Sequence, residues 1–132
     1  MIDVAVCDIN TGEILRAGRC QLEYLNLQAL TSDEEAIEIN SPVDDMQEYY
    51  NGTVFILRPS FTLQYTTLTI DTTETLNISN IPTGTTVTHP DGSTVVDDGY
   101  IDWSCVEPGE YEFSFDNFPY KPVSLNATVI TA

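Results

Sequence analysis

Short alternating apolar runs, each closed by a tight-turn signal, constrain this chain more than any other feature. The signals are Asn10-Thr11-Gly12, Asn51-Gly52, Asp91-Gly92 and Pro108-Gly109. Gly and Asn accept the positive φ values that hairpin turns demand, and period-two alternation places one face of each run in a core. The pattern predicts a mostly β chain built from hairpins.

A chain of 132 residues suffices for one domain or two small ones. At this size roughly two-thirds of the unfolded surface is buried on folding, so a core can form without staples. With 42% hydrophobic and only 19% charged residues, the composition is that of a folded chain and not of an acidic tail. The charge is nevertheless lopsided, at −17. Twenty-one acids face Arg16, Arg19, Arg58 and Lys121. Such a surface disfavours nucleic acid and anionic membranes, and no apolar run is long enough to cross a bilayer. A basic protein partner is compatible with it; solubility is the plainer consequence.

Cys7, Cys20 and Cys105 have neither zinc nor Cys-x-x-Cys spacing. They read as reduced thiols of a protein made in a reducing cytoplasm. Met1-Ile2-Asp3 lacks the positive start of a secretory leader.

Along the chain, residues 2–7 and 13–17 form a first hairpin. Residues 21–30, with Leu22, Leu25, Ala29 and Leu30 on one stripe, predict the single short helix. A short strand at 36–39 and the clearest hairpin, 47–57 around Asn51-Gly52 as a type I′ turn, follow. Pro59 cannot donate to a ladder and marks a joint. The expected organisation is a β-rich unit at 1–59 and an immunoglobulin-like antiparallel β-sandwich at 60–132. In the second, a long strand is expected over 61–71, exposed enough to pair with a neighbouring chain. Shorter strands follow at 75–81, 85–89, 93–96, 100–103, 110–115 and 123–130, with Tyr111, Phe113 and Phe115 on one buried face.

Little catalytic chemistry is visible. His89 is the sole histidine and has no partner in sequence. The acidic pairs Glu34-Glu35, Asp44-Asp45 and Asp97-Asp98 read as solvated turn residues. Asp8-x-Asn10-x-Gly12-Glu13 echoes a calcium loop but lacks its remaining oxygens and distant Glu. No catalytic residue, cofactor or metal site is expected. Tyr49, Tyr50, Trp103 and Tyr120 are the candidates for an interaction surface, with Trp103 favoured as core.

Two stretches carry a resemblance. Residues 8–20 with residues 48–59, and residues 76–82, 95–99, 107–113 and 118–120 in that order, resemble small tailed-bacteriophage virion proteins encoded near tail-fibre genes. The second half separately resembles prealbumin-like or Ig-like sandwiches in which a strand begins Pro-Gly-x-Tyr, here Pro108-Gly109-Glu110-Tyr111. The resemblance implies a non-enzymatic virion component of the tail, neck, fibre attachment or capsid decoration. Its partners would be other virion proteins and copies of itself in a symmetric assembly, with synthesis in the host cytoplasm. The competing expectation is a module binding a host-surface glycan or protein through Tyr50, Trp103 or Tyr120.

Overall fold

The computed structural model describes residues 1–132. The chain is mostly β, and it forms two compact units, Met1–Pro59 and Ser60–Ala132.

The first unit is organised by β1 (Ile2–Asp8), which pairs antiparallel with β2 (Ile14–Cys20) on one side and β3 (Glu34–Ile39) on the other. Val4, Ala5, Val6 and Cys7 are all buried, so this central strand is covered on both faces. The turn at residues 9–12 is locked by its own residues. The Asp8 carboxylate accepts the Asn10 and Thr11 N–H groups at 2.8 and 3.2 Å, and Gly12 N–H donates to the Asp8 carbonyl. Asp8 is thus engaged in an Asx turn.

A second hairpin, β4 (Glu48–Tyr50) with β5 (Phe55–Leu57), contributes Tyr50 and Phe55 to a core of Ala5, Cys7 and Ile14. Its turn differs from the type I′ reading. Asn51 Oδ1 accepts the N–H groups of Thr53 and Val54, each at 2.9 Å, and the positive φ of +97° falls at Gly52 alone. A type I′ turn needs two. The Asn51 side chain has closed an Asx turn in its place.

The expected single short helix is present, wound more tightly than its spacing implied. Leu22–Gln28 is a 3-10 helix of seven residues with none buried. Gln21 makes no side-chain capping bond, and a capless segment this short has no independent means of holding α geometry. Leu25 and Ala29 are half-buried as the stripe requires, but Leu22 and Leu30 face solvent.

The second unit has two sheets around one core. The larger has the order β6 (Thr69–Asp71), β12 (Val123–Ile130), β11 (Gly109–Asp116), β8 (Thr85–His89), β9 (Gly92–Val96). All its pairings are antiparallel except β6 with β12. The smaller pairs β7 (Leu76–Ser79) with β10 (Tyr100–Trp103). Ile78 and Leu76 from one sheet meet Val87, Phe113, Phe115, Ala127 and Val129 from the other. Phe113 and Phe115 are fully buried and Tyr111 half-buried, as their alternation dictates.

The long strand expected over 61–71 is absent. Gln64 and Ser79 exchange backbone hydrogen bonds of 3.0 and 2.8 Å at the small sheet, whereas Thr69–Asp71 runs parallel to β12 in the large one. The segment crosses between sheets, and its apolar parity slips from 61 and 63 to 68 and 70 as it does so. Its two ends are thus paired in different sheets.

Candidate functional site

The four aromatic candidates occupy three different settings. Tyr49 and Tyr50 lie on β4 and are half-buried. Tyr50 packs on Phe55 with ring centroids 5.0 Å apart and donates its backbone N–H to the Gly12 carbonyl at 2.9 Å. With the 8–12 turn and Asn51-Gly52 these tyrosines line an open cavity of about 270 Å³. On its other side Tyr50 borders a second hollow of about 330 Å³ with Ile37, Ile39, Val43 and Phe55.

Tyr120 is half-buried and stacks on Phe61 at 5.1 Å, next to the Phe115 ring. Trp103 is core: it is 9% exposed and meets Tyr111 and Phe113 edge-on, each at 5.1 Å. Tyr49 and Tyr50 belong to the first unit, Trp103 and Tyr120 to the second.

Trp103 does reach one surface feature. With Ile101 and Phe113 it floors a cavity of about 280 Å³ whose rim is His89, Asp91, Thr94 and Asp102. The polarity of His89 is set by its neighbours. Nδ1 accepts the Asp91 N–H at 3.3 Å, which leaves Nε2–H to donate to Thr94 Oγ1 at 3.0 Å. A general base for a hydroxyl nucleophile needs the opposite arrangement, accepting from the hydroxyl while a carboxylate holds the other nitrogen. Here His89 ties the Pro90-Asp91 turn to β9. Asp102 in turn accepts from Asn77 Nδ2 at 2.8 Å across the small sheet.

The remaining polar groups also serve local structure. The Tyr111 hydroxyl donates to the Glu107 carbonyl at 2.7 Å, and Cys105 Sγ lies 3.3 Å from it. That thiol and burial push the Tyr111 phenol up. The Thr85 hydroxyl, fully buried, donates to the Pro82 carbonyl at 2.6 Å. The three cysteines are free thiols; burial, then the charge of Glu35, pushes Cys7 up to about 11.

Two surfaces escape a reading of aromatics alone. Leu22, Tyr24, Leu27 and Leu30 are all exposed along one nine-residue stretch of the first unit. In the second unit β9 is the outermost strand of the large sheet, and Val95 on it is 57% exposed. Its signal in the sequence is a run from Ser93 to Val96 without charge, bracketed by Asp91 and Asp97-Asp98.

No protein-family model matches the chain, and no curated protein sequence matches it.

Proposed function

We propose that this chain is a non-enzymatic structural component of a bacteriophage virion, acting through protein–protein contacts in the tail, neck, fibre attachment or capsid decoration. The supporting observation is where reactive side chains are spent. His89, Asp8, Tyr111 and Asn51 each hold a turn or corner of their own unit, at 2.7–3.3 Å. That use of side chains supports a role played through surfaces. The exposed apolar stretch from Leu22 to Leu30 is the kind of surface a neighbouring subunit covers. The phage assignment itself rests on the motif order from Asp8 to Tyr120.

The second unit is read as an Ig-like sandwich. The strand order β6-β12-β11-β8-β9 over β7-β10, with β6 parallel to the last strand, fits that architecture. So does the corner formed by Tyr111, near the start of β11, bonding back to Glu107. Phe113 stands where antibody domains place the second cysteine of their disulfide, two residues after the corner tyrosine.

Quantitative mass spectrometry of purified particles tests the proposal. The chain is expected at a fixed ratio to the major structural proteins, surviving a high-salt wash. Its absence from particles, when it is abundant in the infected lysate, refutes the reading.

A further inference from the structure

The second unit has one long sheet edge without charge protection. Edge strands expose unpaired N–H and C=O groups, and proteins guard them with charged side chains, proline or brevity. The other edges here are charged, short or bridged. In the first unit β2 carries Arg16 and Arg19, and β3 carries Glu34, Glu35 and Glu38. In the second, β10 carries Asp102, β7 is bridged at Ser79 by Gln64, and β6 is three residues long and ends in Asp71. By contrast, β9 reads Gly92-Ser93-Thr94-Val95-Val96, with all but Val96 exposed.

We infer that the β9 edge receives an extended, basic-flanked strand of a partner protein, which continues the large sheet antiparallel to β9. The inference deepens the reading of the chain as one that works through protein contacts, and rests on it. Charge selects the occupant. Asp91 lies at one end of β9 and Asp97-Asp98 at the other, and after Arg58 the only Lys or Arg in the chain is Lys121. A second copy of β9 is a poor occupant. An antiparallel pair centred on Thr94 sets Asp91 of each copy beside Asp97 of the other, and like charges directly opposite destabilise a ladder. A strand with Lys or Arg at both ends reverses that sign.

The Trp103 cavity supplies a second element of recognition. Asp91 and Thr94 belong both to its rim and to the β9 hairpin. A Lys or Arg side chain from the added strand fits it chemically, with an apolar stem over Trp103 and Ile101 and its charge at Asp91. Backbone pairing then gives affinity, and the end charges and cavity give register.

The test uses the full chain and a synthetic peptide of alternating Thr and Val with paired lysines at both ends, beside the same peptide with glutamates. Trp103 is the sole tryptophan, so its emission reports on the cavity. Amide exchange reports on β9. The lysine peptide is expected to bind at least about tenfold tighter than the glutamate peptide, to shift the Trp103 emission and to protect β9 amides. Val95→Pro, which removes an edge N–H, should abolish binding. Val95→Lys keeps the backbone donors and repels a basic strand, so it supplies the same readout if the proline variant unfolds. Equal binding of both peptides, or binding that survives Val95→Pro and Val95→Lys, overturns the inference. So does a dimer that forms through β9 and is lost in Val95→Lys. A chain that binds the lysine peptide but is absent from particles sinks the virion reading alone; a chain present in particles that ignores the peptide sinks this one alone.

Discussion

Gly12 and Tyr50 touch backbone to backbone. The Tyr50 N–H donates to the Gly12 carbonyl at 2.9 Å, and a Cβ placed at Gly12 would sit 1.8 Å from the Tyr50 carbonyl oxygen. With φ at +82° as well, this position excludes any side chain on two counts. The contact seats the β4–β5 hairpin on the first turn, and so builds the cavity that Tyr49 and Tyr50 line.

Gly12→Ala should therefore destabilise the first unit by about 3 kcal/mol, from strain at positive φ plus displacement of β4. Urea unfolding followed by tyrosine fluorescence and far-UV dichroism measures it. Gly52→Ala is the control: it shares positive φ but meets nothing within 4 Å, and should cost about 1 kcal/mol.

In the second unit, Phe113→Ala should cost about 4 kcal/mol, because Phe113 is fully buried. It also packs on Trp103. The same variant should move Trp103 emission to the red as water enters. Tyr111→Phe removes one hydroxyl bond to Glu107 and should cost about 1 kcal/mol with little spectral change. Thermal melts of the two variants distinguish core loss from corner loss.

Thiol reactivity should divide the cysteines. Burial and Glu35 keep Cys7 protonated, Cys20 is buried, and Cys105 is half-buried. Iodoacetamide at pH 8, read by peptide mass spectrometry, should label Cys105 at least about tenfold faster than Cys7. In urea the three rates should converge.

Stability should be lost at acid pH. The Arg16 guanidinium, then the Leu30 N–H, holds Glu34 below the usual carboxylate range. The Thr73 hydroxyl and N–H do the same for Asp71. A carboxylate with a lowered folded pKa adds stability above its unfolded value and loses it as pH falls through the folded one. Melting temperature should thus hold level between pH ~7 and pH ~5, and fall below about pH 4. Added salt should screen the self-repulsion of a −17 chain and raise the melting temperature at pH ~7, while leaving the acid loss in place.

Local rules made many strands legible. Thr85–His89, Tyr100–Trp103 and Val123–Ile130 stand where alternation and flanking Gly, Pro and Asp put them. What depended on distant partners was not legible. The parallel seat of Thr69–Asp71 on β12 has no local signature beyond the slip in parity between Leu63 and Leu68. Residues 22–28 carry helical spacing, but the missing cap and the exposure of Leu22, Leu27 and Leu30 emerge only in the assembled unit. At Asn51 the residue type was informative and the turn type was not, because the side chain competed for the backbone donors. For the candidate surfaces, the sequence marked Tyr49 and Tyr50 beside a turn. It marked Ser93–Val96 only as an uncharged strand between acids, since being an edge belongs to the sheet order.

A cryo-EM map of the particle, at a resolution that separates strands, examines the claim of a contact-making virion part most directly. The account predicts density for both units in repeated copies, with a neighbouring protein's strand along Gly92–Val96 and a subunit against Leu22–Leu30. A particle whose density is fully explained by other proteins would contradict it.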